Sequence, residues 1–198
     1  SDLSPARVAE IGVAARAAGL ALWSHAVVPP SRPDEIVAAA PTSISHSDQV
    51  IWSAVPSGGA LGDRAERSRL IATVAADAPP PQALYGAMKR RGTLLEPTLI
   101  VMQLGSVVDG RFGPLGEVQA WAVAAARAAH AAGVRIVAGT DAIGLRIPQI
   151  HTEMQLLVRQ VGLTPLQAIQ AATEHGAMAL GIADSVGTVT VGKWADLV

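Results

Sequence analysis

Residues 134–141 read Val-Arg-Ile-Val-Ala-Gly-Thr-Asp (VRIVAGTD), an apolar run of strand length that ends on a carboxylate. An Ala-rich helical stretch from about Leu115 to Ala132 precedes it, and Gly133 supplies the left-handed stop between the two. Helix, glycine, apolar strand and a polar residue at the strand end form the unit from which the rest of the chain is read.

Upstream the same order recurs. Ser4 and Pro5 open a helix, as a hydroxyl cap followed by a proline whose missing N–H costs nothing in the first turn; Gly19 ends it, and LALWSH (20–25) follows as a short strand reaching His25. Pro33 to Ala40 returns to helix, and TSISH (42–46) is a second short strand reaching His46. Asp48 to about Ala54 and Arg64 to Ala76 suit helices, with PSGGALGD (56–63) as a loop between them. Three prolines at 79–81 open a helix that runs to Arg91 and stops at Gly92, before the strand candidate TLLEPTLIV (93–101).

Downstream of Asp141, Ile150 to Val161 and Pro165 to Thr173 read as two further helices, the second capped by Thr164. The tail VGTVTVGKWADLV (186–198) turns to the period-two alternation of a strand. Helix and strand thus alternate four times with no hairpin signal, which predicts an α/β fold of parallel strands joined by crossover helices.

Composition narrows the function. Half of the 198 residues are apolar, enough to bury one sizeable core. Fifteen basic against sixteen acidic side chains leave a net charge of -1 and no basic stripe, so nucleic acid is excluded as an expected partner. No apolar run is long enough to span a bilayer, so no membrane partner is expected. Without cysteine there is neither a disulfide framework nor a thiolate site, and a bound metal would need imidazole and carboxylate ligands. The expectation is a soluble chain, cytoplasmic by default; a secreted or periplasmic address stays open, because a leader would precede Ser1.

Three of the four strand candidates end on or just before a residue able to bind metal: His25, His46 and Asp141. In a parallel barrel every strand C-terminus opens on one face, so residues distant in sequence converge there. Two imidazoles and a carboxylate suit zinc or a similar divalent ion and leave positions for water and substrate. A lone strand-end histidine is also explained by a hydrogen bond, and Asp141 by a turn; the repetition at three strands makes the metal as good a reading as these. His151 and Glu153 open the helix after Asp141 and are candidates to orient its loop, although a cap with a dipole-compatible Glu explains them as well. His130, in the last turn of its helix, and His175, at a helix junction, need no ligand to be explained. Gly110, Gly113 and Gly116 are spaced like a phosphate loop, but no Lys-Ser/Thr pair follows and a surface loop is expected.

The segments AGTDA (138–142), IHTEMQLLVRQVGLTPLQAIQAAT (150–173) and ALGIADSVGTVTVGKWADLV (179–198) closely resemble the C-terminal portion of the amidohydrolase superfamily, nearest its imidazolonepropionase-like and prolidase-like branch. AARAAGLALWSHA (14–26) resembles that family's strand-five segment and PTSISHSD (41–48) its strand-six segment, whereas the region from about 55 to 80 matches poorly. The resemblance implies a partial (β/α)8 barrel, about strands five to eight, over residues 1–183, and the start of a small β-sandwich over 184–198. It implies His25 and His46 as metal ligands, and Asp141 as the strand-eight ligand and general base. The cofactor would be one or two divalent ions, zinc first. The reaction implied is hydrolysis of an amide, cyclic amide or dipeptide-like C–N bond in a small-molecule substrate.

The family's strand-one His-x-His pair and strand-four Lys have no counterpart here, and Ser47 stands where a glycine is common after the strand-six His. The expectation is therefore a chain cut after strand four, inactive by itself, whose full-length form is free to assemble as a homo-oligomer. Two other readings stand beside it: a non-catalytic remnant or interaction module that needs a complementary half, and a barrel enzyme of different chemistry. The latter would call for a phosphate site after the last two strands, which the sequence does not show.

Overall fold

The computed structural model describes residues 3–56, 58–108, 115–141 and 150–196. Helix α1 (Pro5–Ala17) starts where the hydroxyl of Ser4 accepts the Arg7 amide at 3.3 Å, with Pro5 at the first position. Strand β1 (Trp23–His25), helix α2 (Pro33–Ala38) and strand β2 (Ser43–Ser45) follow. A 3-10 stretch (Ser47–Ala54) leads to α3 (Arg64–Thr73), whose cap Asp63 accepts the Glu66 amide at 2.8 Å. Helix α4 (Pro79–Arg91) carries three basic residues in its last turn and ends at Gly92, whose φ of 73° is left-handed.

Strand β3 (Leu94–Glu96) is followed by α5 (Leu99–Val108), α6 (Leu115–Ala131) and α7 (Ile150–Leu156), the last running on as a π-turn (Leu157–Val161). Helix α8 (Pro165–Ala172) opens with a capping box between Thr164 and Gln167, and α9 (Glu174–Leu180) comes next. Among the described residues no helix is long and apolar enough to cross a membrane.

The sheet has the order β1-β2-β3, all parallel, with His25 level with Ser45 and Ser45 level with Glu96. The segment at 134–141 continues it beside β3 through a single parallel bridge, Leu95 to Ile136. There the Leu95 amide donates to the Arg135 carbonyl at 3.0 Å and the Val137 amide to the Leu95 carbonyl at 2.8 Å. The next bond of that ladder would need an amide at residue 97, a proline with no N–H, and the Ala138 amide, on the other side of the segment, donates to the Ala171 carbonyl at the end of α8 at 3.0 Å. The result is a mixed α/β arrangement of four parallel segments with helices between them, consistent with part of a barrel. β1 is an open edge, and Trp23 on it is 53% exposed.

The core lies between sheet and helices. Ile36, Ile44, Ile51, Tyr85, Met88, Leu95, Leu99, Ile136 and Leu157 are buried in it, and Ala122, Ala125, Ala126 and Ala129 form the inner stripe of α6. An alanine stripe lets that helix lie close on its neighbours, as the Ala runs predict.

Three sequence expectations are corrected. TLLEPTLIV is a strand only to Glu96; after Pro97 the apolar run coils into α5, because continuous apolar character does not separate a buried helix from a buried strand. The stretch after Ser47 is a 3-10 helix rather than an α-helix. The alternating tail makes turns, not a ladder: the Trp194 amide donates to the Ser185 carbonyl at 2.9 Å, and Val189 and Val191 stand exposed. Alternation yields a strand only where a partner strand takes the backbone bonds.

Candidate functional site

His25 and His46 stand at the ends of neighbouring strands, and Asp141 comes near them five residues past the single bridge at Ile136. His25 closes β1, and the His46 amide donates to the Glu96 carbonyl at 2.9 Å, which places His46 one residue past the end of β2. His46 (φ 71°), Thr98 (φ 54°) and Asp141 (φ 46°) are three of the four non-glycine residues with positive φ among those described. Left-handed backbone at side chains that need not adopt it is strain, and strain gathers where geometry matters.

The imidazole of His46 is buried and fixed. Thr98 Oγ1 donates to the Pro97 carbonyl at 2.8 Å and therefore accepts from His46 Nδ1, also at 2.8 Å. That places the ring proton on Nδ1 and leaves a lone pair on Nε2. Burial lowers the His46 pKa, the neighbouring His25 lowers it further, and Asp141 and Glu96 oppose both. His46 Nε2 faces Asp141 Oδ2 across 3.9 Å, and the His25 ring meets the His46 ring edge-on with centroids 4.6 Å apart. Trp23 in turn meets the His25 ring edge-on at 5.3 Å.

A neutral imidazole nitrogen and a carboxylate oxygen are both acceptors, so facing each other at 3.9 Å they require a cation, a proton or a donor between them. The donor types suit a divalent ion, and their 3.9 Å separation is wider than the roughly 3.4 Å between two donors on one tetrahedral zinc. Among the described residues no group of three or more His, Asp or Glu side chains is placed to hold a metal ion.

Sequence reasoning missed Glu96. Its carboxylate accepts the Trp23 indole N–H at 3.0 Å and the Ser45 hydroxyl, joining β1, β2 and β3 beneath the two imidazoles. The same carboxylate occupies the place where a side chain on residue 139 would be; a Cβ there would lie 2.6 Å even from Glu96 Cγ. Gly139 is thus the space into which Glu96 reaches. The available signal was the lone acid inside an apolar strand candidate.

The other candidates have structural roles. Glu153, fully buried, accepts the amides of Leu99 at 3.0 Å and Ile100 at 2.8 Å, so it caps the start of α5, while the loop after Asp141 lies outside the described residues. Burial pushes its carboxyl up to about 7, with the Glu96 charge adding and the two amides opposing. His151 is exposed at the start of α7. His175 Nδ1 donates to the Ile136 carbonyl at 2.8 Å, and His130 lines the same small cleft, to which Asp141 does not contribute. Ser47 uses its hydroxyl to bond the Ala122 carbonyl of α6 at 3.0 Å, which a glycine would not do. The loop glycines Gly110 and Gly113 lie outside the described residues.

A cleft of about 350 Å³ opens on His46 and Asp141, with Asp48, Gln49, Trp52 and Arg67 among its walls. Asp48 is buried and its carboxyl is pushed up to about 6, with the Arg67 guanidinium opposing the shift.

Parallel strands joined by crossover helices make a mixed α/β arrangement consistent with part of a barrel. The amidohydrolase family model matches residues 87–198, more than half of the chain, and the chain belongs to that family. Among solved structures it is similar to the ochratoxinase of A. niger (23% identity, TM-score 0.68), covering 98% of this chain and 38% of that one. It is also similar to a putative prolidase from Bifidobacterium longum (27%, TM-score 0.63, covering 98% and 44%). A third is a Xaa-Pro dipeptidase with bound methionine (21%, TM-score 0.67, covering 98% and 42%). The chain thus spans about two fifths of the length of these structures. No curated protein matches it.

Proposed function

We propose that this chain supplies the strand-five to strand-eight half of a metal-dependent hydrolase that cleaves a C–N bond, amide, cyclic amide or dipeptide-like, in a small molecule. The observation that carries the reading is the approach of His46 Nε2 to Asp141 Oδ2 at 3.9 Å, with His25 against His46, in an amidohydrolase-family chain. Residues 1–183 are the barrel half and 184–198 the start of the β-sandwich.

His25, His46 and Asp141 would hold the ion, with zinc the metal best matched to two imidazoles and a carboxylate. When bound, a divalent ion there acidifies water and polarises a carbonyl. Asp141 accepts a proton from the attacking water as the new C–O bond forms, and returns it to the nitrogen as the C–N bond breaks. Thr98 fixes the tautomer that leaves the His46 lone pair free, and Trp23 supports the His25 ring. Ligands and pocket walls from a complementary half are required for turnover, so residues 1–198 alone are inactive.

Two measurements test this. In the protein that carries this chain, Asp141→Asn should lower amide turnover by about 10²-fold or more while the circular dichroism stays unchanged. Undiminished turnover overturns the assignment. Thr98→Val should weaken zinc binding, read by equilibrium dialysis, by roughly 10–100-fold, because the ring loses the partner that sets its tautomer.

A further inference from the structure

The end of the sheet opposite His46 and Asp141 gathers cations that no described acid pairs with. Lys89, Arg90 and Arg91 fill the last turn of α4, and Arg135 opens the segment beside β3, its carbonyl taking the Leu95 amide at 3.0 Å. Lys89 lies across the joint between them, its Nζ 3.0 Å from where a Cβ on Gly133 would stand. All four side chains are exposed, and none makes an ion pair or a side-chain hydrogen bond among the described residues. Along the sequence they form no stripe, because Arg135 is remote from the other three; the fold brings it to them.

The acids of these elements stand at their other ends. No Asp or Glu occurs from Pro79 to Leu95 or from Val118 to Thr140. Asp77 precedes α4, Glu96 closes β3, and Glu117, at the start of α6, is roughly 20 Å from the end of that helix at 1.5 Å per residue. Glu174, beside His175, makes no ion pair with Arg135. A helix C-terminus carries about half a unit of negative charge, which offsets one such cation at most and not four.

We propose that this face docks an acidic segment of a partner protein, Arg91 and Arg135 taking carboxylates through paired N–H···O bonds and Lys89 and Arg90 adding charge beside them. The surface is separate from the hydrolytic site and does not depend on that reading. Nucleic acid fits it less well: duplex binding draws on about 6–10 phosphate contacts. The aromatic side chains of α4 and α6, Tyr85 and Trp121, are moreover buried and cannot stack on a base. A membrane surface also fits less well, since no large apolar side chain from Pro79 to Leu95 or from Val118 to Ile136 stands exposed to insert beside the cations.

The test is the fluorescence anisotropy of a labelled hexaglutamate peptide added to the protein that carries this chain. The peptide is expected to bind at about 50 mM salt and to lose about tenfold or more of its affinity at about 500 mM. Arg91→Glu with Arg135→Glu should weaken it by about tenfold or more, because two attractions become repulsions. Arg7→Glu with Arg69→Glu, exposed on α1 and α3, makes the same change in net charge. It should leave the affinity within about twofold, since solvent and salt screen distant charges. Lys89→Gln with Arg90→Gln introduces no repulsion, should cost about threefold, and guards against a fold lost to charge reversal. Absence of peptide binding, or an equal loss in the Arg7 and Arg69 variant, overturns the proposal. So does tighter binding of a hexathymidylate, or of phosphatidylcholine vesicles containing phosphatidylserine.

Discussion

Gly139→Ala is expected to destabilise the chain by about 1–3 kcal/mol, as overpacking at a close-fitted position does. The added methyl would fall inside the Glu96 carboxylate, and even Glu96 Cγ would be 2.6 Å from it. The backbone at 139 cannot yield easily, because Val137 and Ala138 are held by bonds of 2.8 and 3.0 Å to Leu95 and Ala171. The flexible partner yields instead: Glu96 swings away, and the Trp23 indole keeps only Ser45 Oγ, at 2.5 Å, as its acceptor. Trp23 then braces the ring of His25 less firmly. Urea unfolding of Gly139→Ala, Glu96→Ala and the double variant measures this. Because the alanine at 96 clears the space, the double variant should lose less than the sum of the singles by about 0.5–3 kcal/mol. Strict additivity would show that the two positions do not compete for one space.

Glu153→Gln is expected to flatten the pH dependence of stability. Burial raises the Glu153 carboxyl from its ordinary value of 4.5 to about 7, so the folded chain holds this proton more tightly than the unfolded chain. The stability this contributes is fully present below pH 4.5 and is lost as pH rises through about 7, a span on the order of 3 kcal/mol. The glutamine also loses part of the cap on the Leu99 and Ile100 amides, at a cost of about 1–3 kcal/mol. Denaturant midpoints should therefore show the parent chain ahead at pH 5 and the gap narrowed at pH 8. A gap that stays constant would mean that Glu153 does not titrate in this range.

These two residues also show where the sequence was legible. Ser4, Thr164, Pro79 and Gly92 announce helix ends because a cap is a contact between residues three or four apart, visible in any short window. His25 and His46 were legible as strand ends, since each closes an apolar run, whereas Asp141 lies five residues past the one bridge at Ile136. Glu96 was not, because its partners Trp23, Ser45 and Gly139 lie on three other strand segments, and only the folded sheet brings them together. Glu153 looked like an acid serving its own helix. It serves α5, whose start at Leu99 was hidden inside an apolar run read as strand. The tail misled for the converse reason: alternation is a local pattern, but a strand is a partnership.

The left-handed backbone at His46, Thr98 and Asp141 sets a direction for sequence change in this chain. The residue most at ease in that conformation is glycine, and a glycine there would discard an imidazole, a hydroxyl or a carboxylate. Replacements that relax the chain at these points and replacements that blunt its chemistry are therefore the same replacements. Under the function proposed above, selection for foldability alone would favour glycine at these three positions and selection for activity would oppose it.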